Sequence, residues 1–447
     1  MYQVQDSATL ARLRRRLAGA RREGRPPVAR TVVLLGLTSL LTDISAEMVS
    51  AVLPLYLVTI RGLNPAQFGV IDGIYQGGSA LVRIVFGFVA DRLRRYRDVA
   101  ALGYGLSAAS KAGLIAAGGA WTAVGVMVLA DRVGKGIRTA PRDALISMSG
   151  PRESLGIAFG VHRAMDTFGA MIGPIIAFGL LALDPDNFTG LFLVSLCFAL
   201  VGLAILMLLV DEPEHLPAAV AASHETAVEP ADVAAAAAPR SAEPGPPPPT
   251  ATLAGATRLA RTPPFGGLVG VAALLGLVTI SDAFVYLELE RQIDFDASIF
   301  PLLYVGTALV FMILAVPIGR LADRAGRPRV FLGGYAVLLA MYVILQVAPT
   351  DVAMLPLALT ALGVFYASTD GVLAALGSAL TPEHLRGTGL AMLGTATGLA
   401  RFGASVAFGA AWALAGVETA LLGFTIALAL ALPAAAAILI RTGAVRA

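Results

Sequence analysis

Long apolar stretches alternate with short polar connections along almost the whole chain. Most of them reach the roughly 20 residues that an α-helix needs to cross the hydrocarbon core of a bilayer. Twelve such stretches can be marked, and the pattern predicts an all-α integral membrane protein with twelve transmembrane helices. They cover residues 31–60, 66–90, 99–117, 121–140, 152–182, 189–210, 264–289, 297–319, 329–348, 352–375, 386–413 and 417–440.

One long interruption divides the twelve stretches into two sets of six. It is rich in Ala, Pro and Glu, a composition that cannot form a packed core and that is typical of a flexible linker. The predicted divisions are a cytoplasmic basic segment (1–30), a six-helix bundle (31–210), a flexible cytoplasmic linker (211–262), a second six-helix bundle (263–441) and a cytoplasmic tail (442–447).

Two polar motifs occur once in each half at almost the same offset. Residues 87–97 read GFVADRLRRYR, and residues 319–329, 232 positions later, read GRLADRAGRPR. Residues 151–156 read PRESLG, and residues 382–387, 231 positions later, read PEHLRG. Two landmarks at nearly one offset indicate a tandem duplication, which predicts two pseudo-symmetric six-helix bundles.

Composition and charge support a membrane protein and orient it. The chain is 57% hydrophobic and 14% charged, with a mean hydropathy of +0.77, values that suit a bilayer better than a soluble core. Arginines concentrate in the first 30 residues and in every second connection, so the positive-inside rule predicts that both termini are cytoplasmic. The net charge of +3 is therefore a topology signal and predicts no nucleic-acid partner. A single cysteine, Cys197, offers no disulfide, and we expect neither a metal nor a cofactor.

Charged residues inside the predicted helices are candidates for function, because charge is costly within a bilayer. Stretch 1 contains Asp43 and Glu47, which share one helical face. Stretches 4 and 5 add two further carboxylates, two arginines and one histidine, so we expect an excess of negative charge that favours proton binding. The candidate proton-coupling residues are Asp43, Glu47, Arg132, His162, Arg163 and Asp166. The alternative is a set of static salt bridges that tie stretches 1, 4 and 5 together.

The duplicated hairpin resembles the signature G-x-L-a-D-r-x-G-r-[RK] of the major facilitator superfamily. The copy at 319–327 matches it fully, whereas the first copy has Val89 and Arg94 in place of the leucine and the second glycine. The resemblance implies a major facilitator fold and a cytoplasmic gate, in which Asp91 faces the start of stretch 11 and Asp323 the start of stretch 5 in the outward-facing state. The implied gate residues are Gly87, Asp91, Arg95, Gly319, Asp323 and Arg327. Alternatively, the arginines only enforce topology.

A second motif resembles one found in drug–proton antiporters of that superfamily. Gly169, Gly173 and Pro174 match part of G-x-x-x-G-P-x-x-G-G, although the final glycine pair is absent. The resemblance implies that this helix seals the interface between the bundles. The alternative is an ordinary contact between small residues.

The resemblance also implies that stretches 1, 4, 7 and 10 line a central cavity. Asp282, Tyr286, Tyr366 and Asp370 would then face the substrate path, and acidic groups among aromatic rings suit an amphipathic or cationic solute. We therefore expect a monomeric transporter in the cell (inner or plasma) membrane that exports such a small molecule in exchange for protons.

Other functions remain open at this point. One alternative is proton-coupled uptake of a metabolite or organic anion with Arg132, Arg163 and Arg401 as ligands. Another is a membrane sensor that keeps the fold without transporting. The sequence has none of the HExxH, G-x-S-x-G or phosphate-loop motifs of familiar enzymes, and we expect no enzymatic activity.

Overall fold

A computed structural model describes residues 29–93, 95–118, 120–149, 155–211, 253–347, 352–382 and 385–444. Most of the basic N-terminal segment, most of the linker, the last three residues and Pro151 lie outside the described residues. The surroundings of the Gly87 and Asp91 side chains also lie outside them.

The described residues form fifteen α-helices. The N-terminal half contains α1 (Arg30–Leu55), α2 (Pro65–Gly77), α3 (Ala80–Leu93), α4 (Tyr96–Ala116), α5 (Trp121–Met148), α6 (Leu155–Leu183) and α7 (Phe188–Leu209). The C-terminal half contains α8 (Leu253–Ala260), α9 (Pro263–Leu277), α10 (Asp282–Ile293), α11 (Phe300–Ala325), α12 (Arg327–Val347), α13 (Met354–Ala379), α14 (Arg386–Ala415) and α15 (Val417–Arg441). A π-helical turn (Tyr56–Ile60) extends α1, and a 3-10 turn (Ala297–Ile299) precedes α11.

Ten helical segments of the described chain are long and apolar enough to cross a membrane. Large apolar side chains such as Leu208, Ile313 and Leu430 are exposed on their outer faces, as expected where lipid replaces water. The two other predicted stretches differ for physical reasons. Stretch 2 is divided into α2 and α3 by a turn at Gly78 and Ser79, and stretch 4 (α5) carries several charges near its centre.

The packing of the helices repeats between the halves. In the N-terminal half, α1 packs against α6 and α7, α3 against α5, and α4 against α5 and α7. In the C-terminal half, α9 packs against α14 and α15, α11 against α13, and α12 against α13 and α15. Each pair in one half therefore has its counterpart in the other, as the duplicated motifs predict.

The two halves meet mainly through α2 with α14 and through α6 with α11. We call the end that holds the α3–α4 and α11–α12 connections the basic end, and the other the opposite end. Glycines bring α2 and α14 together toward the opposite end, since a Cβ on Gly69 would lie 2.6 Å from the Ser405 carbonyl oxygen. A Cβ on Gly77, further along α2, would lie 3.0 Å from the Gly398 carbonyl oxygen. Such close backbone approach is typical of membrane helix interfaces built from small residues.

The chain is non-helical between α9 and α10, at mid-depth in the bundle. Broken helices inside a membrane need partners for the freed backbone groups. Here the Tyr342 hydroxyl accepts a hydrogen bond from the Ile280 backbone N–H at 2.7 Å, and the Thr279 hydroxyl donates to the Leu275 carbonyl at 2.8 Å. The break places Asp282, the first residue of α10, beside the interface between the halves.

Candidate functional site

A cavity of about 230 Å³ lies between the two halves near the centre of the bundle. Helices α1 and α2 form its wall on the N-terminal side, and α10, α11 and α13 form the wall on the C-terminal side. Its polar and aromatic lining consists of Glu47, Ser50, Phe68, Asp72, Tyr75, Gln76, Asp282, Tyr304 and Tyr366. The lining thus contains three carboxyl groups and no lysine or arginine.

Each of the three carboxylates accepts a hydrogen bond from a neutral hydroxyl. Ser50 donates to Glu47 at 2.7 Å, Ser405 to Asp72 at 2.5 Å, and Tyr366 to Asp282 at 2.5 Å. The ion pairs formed among the described residues include none of the three carboxylates. The cavity therefore presents acceptor oxygens and aromatic faces that suit a positively charged group.

Two further voids continue from the cavity toward the basic end. The first is just large enough for a water molecule and is bordered by Gln76, Ser281, Tyr366 and Arg401. The second is a more open vestibule of about 380 Å³ between α13 and α14, which contains Asp370 and Arg401. Gln76 borders all three spaces, so they adjoin one another along one path.

Behind the cavity wall, buried charges of α5 form ion pairs. Lys111 of α4 is buried and pairs with Asp131, whose other oxygen accepts from Arg132 at 2.5 Å. The Arg132 guanidinium stacks over the Tyr75 ring, 4.1 Å from its centroid, and Tyr75 in turn lines the cavity. Arg132 is thus a structural neighbour of the cavity and not part of its lining.

Asp43 lies one helical turn from Glu47 and has a cationic partner on α5. The Arg138 guanidinium is 3.7 Å from an Asp43 oxygen, donates to the Ser107 hydroxyl at 2.9 Å and lies 4.8 Å from the centre of the Tyr104 ring. Both side chains of this pair are almost fully buried. Asp43 is therefore held in the interior of the N-terminal half.

A polar cluster continues along α1 toward the basic end. The Ser39 hydroxyl lies 3.0 Å from His162 Nε2, 3.1 Å from the Tyr104 hydroxyl and 3.2 Å from Arg142 Nη1. Arg142 also lies 3.7 Å from Asp166. Ser39, Asp43 and Glu47 follow at intervals of four residues, so they form one polar stripe along α1.

The expected excess of negative charge is corrected by these contacts. Counting along the sequence omitted Lys111, Arg138 and Arg142, which supply cations to Asp131, Asp43 and Asp166. Arg163 differs from expectation as well: its side chain is 79% exposed and contacts Asp166 only at 3.7 Å. The salt-bridge alternative therefore describes Asp131 and Asp43 well. Glu47 forms no ion pair within 4 Å among the described residues, but the cations Arg132 and Lys135 lie near enough to interact with its charge.

Of the residues expected along the substrate path, Asp282 and Tyr366 line the central cavity and Asp370 lines the vestibule. Tyr286 does not. It is fully buried between α10 and α11, where its hydroxyl is 2.7 Å from the Thr307 hydroxyl. Tyr286 follows Asp282 by four residues and therefore lies on the same face of α10, but α11 covers that part of the face.

Of the expected gate residues, Arg95, Gly319, Asp323 and Arg327 have described surroundings at the basic end, and the ion pairs of the charged ones stay within their own half. Asp323 is 65% exposed and accepts from Arg327 at 3.0 Å, within its own hairpin. Arg95 is also exposed, 3.8 Å from Asp98, and Gly319 has open space around it. The contact of Asp323 with the start of α6 therefore stays a prediction for another conformation.

The antiporter-like motif packs α6 against α1 inside the N-terminal half. A Cβ on Gly169 would meet the Leu40 backbone, and one on Gly173 would lie 2.7 Å from the Ile44 carbonyl oxygen. Pro174 lies within α6, which continues as helix to Leu183. These contacts match the small-residue alternative, since the nearest neighbours of both glycines lie in α1.

Sequence reasoning missed Asp72 and Gln76, two residues that connect the cavity to the C-terminal half. The signal was available, since Asp72 is a carboxyl group within stretch 2 and meets the same criterion that selected Asp43. Its partner Ser405 is 333 residues away in the sequence, and no spacing rule could have paired them.

Comparisons with known proteins agree with this architecture. The family model of the Major Facilitator Superfamily matches residues 35–405, with a second match over 284–446. The chain therefore belongs to the Major Facilitator Superfamily and is a multi-pass membrane transporter, not an enzyme. The lipid bilayer and a small-molecule substrate are accordingly its partners.

Relatives and solved structures extend over nearly the whole chain. An uncharacterized MFS-type transporter of Methanocaldococcus jannaschii is 28% identical over 408 residues, which cover 90% of this chain and 93% of that protein. The crystal structure of the nucleoside transporter NupG has a TM-score of 0.70 at 13% identity and covers 92% of this chain and 99% of that one. A bacterial homologue of the lysosomal transporter Spinster, solved in an inward-facing and unoccupied conformation, has a TM-score of 0.62 at 15% identity and covers 94% and 96%.

Proposed function

We propose that this protein is a secondary active transporter that exchanges protons for an amphipathic organic cation by alternating access. The observation that carries the proposal is the central cavity, in which Glu47, Asp72 and Asp282 converge among aromatic rings without a lysine or arginine. A cationic solute would find charge complementarity there and cation–π contacts with Tyr75, Tyr304 and Tyr366. A phosphorylated or purely anionic solute would be repelled.

The proposed topology has twelve membrane spans. Both termini would lie in the cytoplasm, and the protein would reside in the plasma (inner) membrane. The broken pair α2 and α3 and the charged helix α5 would complete the ten apolar segments to twelve. Arg95, Arg97, Arg327 and Arg329 all lie at the basic end, which supports its placement on the cytoplasmic side.

Proton coupling would use the polar stripe on α1. Glu47 lines the cavity and has only the Ser50 hydroxyl as its hydrogen-bond partner among the described side chains. A proton and a cationic solute would therefore compete for the same carboxylate, which is the basis of exchange. Asp43, Ser39, His162 and Asp166 would connect this group to the basic end, with Arg138 and Arg142 holding the stripe in place.

In the proposed cycle, the solute binds from the basic end and displaces the proton of Glu47 to that side. At the opposite end a new proton binds to Glu47 as the solute leaves. An inward proton gradient would then drive the solute out of the cell. The Spinster homologue with a similar fold is described as inward-facing, which agrees with a vestibule that opens toward the basic end here.

Proteoliposomes containing a pH-sensitive dye test this proposal. Tetraethylammonium, 1-methyl-4-phenylpyridinium and ethidium serve as probes, each applied outside, and an exchanged cation should make the lumen more alkaline as protons leave. Glu47→Gln should abolish the pH change, whereas Arg441→Gln, at an exposed position at the end of α15, should preserve it. The coupling would be contradicted if the cation flux did not depend on the proton gradient in either the parent protein or the Glu47 variant.

A second candidate is proton-coupled uptake of an organic anion. One observation favours it: among the three arginines considered for anion binding, Arg401 borders the path and has no ion-pair partner among the described residues. Arg132 is occupied by Asp131, and Arg163 is exposed. Flux of probe anions such as benzoate or gluconate, with none of the cations, would favour this candidate.

A further inference from the structure

Arg401 of α14 is a charged side chain inside the membrane region that has no hydrogen-bond or ion-pair partner in the part of the chain that the structure describes. It makes no hydrogen bond or ion pair with any described residue, and its Nε is buried and unsatisfied. The centroid of the Tyr366 ring is 5.9 Å from its guanidinium carbon. Buried charges in membrane proteins are normally paired, and an unpaired guanidinium is costly.

The position of Arg401 connects it to the carboxylate cavity. It borders both the small void and the vestibule, and Tyr366 separates it from Asp282. The Tyr366 hydroxyl binds Asp282 while the face of its ring is turned toward Arg401. A negative and a positive recognition site therefore lie on either side of one tyrosine.

The nearby acidic residues form no ion pair with Arg401 among the described residues. Asp370, which shares the vestibule, and Asp282 act on the guanidinium only at longer range. Asp282 is instead bound to Tyr366, and Asp370 is exposed to the vestibule. The guanidinium is thus free to receive a ligand group from the path.

We infer that the transported solute is zwitterionic, with its cationic group among Glu47, Asp72 and Asp282 and a carboxylate on Arg401. This inference rests on the proposed function, because it takes the carboxylate cavity to be the cation site. The planar guanidinium offers paired donors that match the two oxygens of a carboxylate. Gln76, which borders all three spaces, lies between the two charged groups and can hydrogen-bond the middle of such a solute.

The inference predicts a specific ranking among matched compounds. Removing the ligand's carboxylate leaves Arg401 unpaired again, which should lower the affinity by roughly fivefold to 150-fold, on the order of 1–3 kcal/mol. The test uses the twenty amino acids and the dipeptides Ala-Ala, Phe-Ala and Lys-Ala, each as the free zwitterion, the C-terminal amide and the N-acetyl derivative. Binding to the full-length protein in lipid nanodiscs is measured by thermal shift and by calorimetry.

The expected result is that at least one zwitterion binds about tenfold or more tightly than its own amide and its own N-acetyl derivative. Arg401→Gln should remove the difference between zwitterion and amide, and Arg401→Lys should retain part of it because the charge is kept. Arg329→Gln, at an exposed position of the basic end, should leave the difference in affinity between zwitterion and amide unchanged.

Three outcomes would overturn the inference: amides that bind as tightly as their zwitterions, a preference that survives in Arg401→Gln, or no binding by any zwitterion of the set. The proposed function fails separately. If Glu47→Gln and Asp282→Asn leave the binding of the amides and of 1-methyl-4-phenylpyridinium unchanged, the cavity is not the cation site. If those variants weaken cation binding while Arg401→Gln has no effect, cation exchange stands and the zwitterion inference falls.

Discussion

At the scale of single residues, burial separates charges that hold the N-terminal half together from charges that face the cavity. Lys111, Asp131 and Arg132 form a buried group with all three charges in contact. Glu47, Asp72 and Asp282 accept hydrogen bonds from neutral side chains and form no ion pair among the described residues. Substitution should therefore affect stability at the first group and transport at the second.

Lys111→Met tests this distinction. Breaking a buried ion pair leaves an uncompensated charge and costs about 3 kcal/mol, and here Asp131 keeps Arg132, so we expect the lower end of the usual range. Unfolding in sodium dodecyl sulfate, followed by tryptophan fluorescence, gives the change in free energy. Arg163→Gln is the control. The Arg163 side chain is 79% exposed, so its pair with Asp166 contributes at most about 1 kcal/mol to the free energy of unfolding. Equal losses in the two variants would show that Lys111 is not a structural charge.

The sequence could identify charged residues at depth but not their partners. Asp43 and Glu47 were found because carboxylates are rare inside apolar helices, and the rule applies to any single residue. Arg138 and Arg142 follow Arg132 and Lys135 at helical spacing along α5, but the spacing does not show that they are the partners of Asp43 and Asp166. Which cation meets which carboxylate depends on how α1, α4, α5 and α6 pack, and that information is not local.

At the scale of helices, the apolar pattern located nearly every element, while the breaks needed the structure. A turn at Gly78 and Ser79 and the non-helical residues 278–281 interrupt stretches that look continuous in sequence. Both breaks lie beside the path through the molecule, where neighbours such as Tyr342 satisfy the exposed backbone. Asn64 and Gln67 form a capping box at the start of α2, a boundary that local sequence does specify.

The closely packed pair α2 and α14 gives an element-scale prediction. Gly69→Ala places a Cβ against the Ser405 carbonyl oxygen, so the two helices must separate, at a cost of about 1–3 kcal/mol. Because this contact joins the halves toward the opposite end, the variant should shift the protein toward a state in which that end is open. A maleimide should then label Thr397→Cys in the vestibule about fivefold or more slowly, in a Cys197→Ser background.

Gly179→Ala is the matched control for this experiment, because a Cβ at Gly179 meets open space. It should leave the labelling rate of Thr397→Cys as it is in the parent. A slower rate in both variants would reflect general loosening of the bundle, and an unchanged rate in Gly69→Ala would show that the α2–α14 contact does not control access to the vestibule.

At the scale of the whole molecule, the contacts between the halves are concentrated at one end and the cavity opens toward the other. Asp72 links these two features, since it lines the cavity and also accepts from Ser405 across the interface. A solute or a proton that occupies this carboxyl group would therefore affect the same contact that keeps the opposite end closed. Alternating access requires a second state in which the basic end closes instead.

The duplicated hairpin predicts how that second state is held. Asp323, exposed here, should then meet the N-terminus of α6, where the helix dipole favours a carboxylate. Arg324→Cys and Ile157→Cys, both at exposed positions, should become linked by a short bismaleimide in that state, and linkage should arrest transport. Gly69→Ala should increase the linked fraction, and Asp323→Asn should reduce it, because the amide lacks the charge that the dipole attracts. Pairing Arg324→Cys with Val347→Cys, at the opposite end, provides the negative control. Linkage that is insensitive to both substitutions would mean that the hairpin sets topology alone, since neither the glycine contact nor the carboxylate would then influence closure of the basic end.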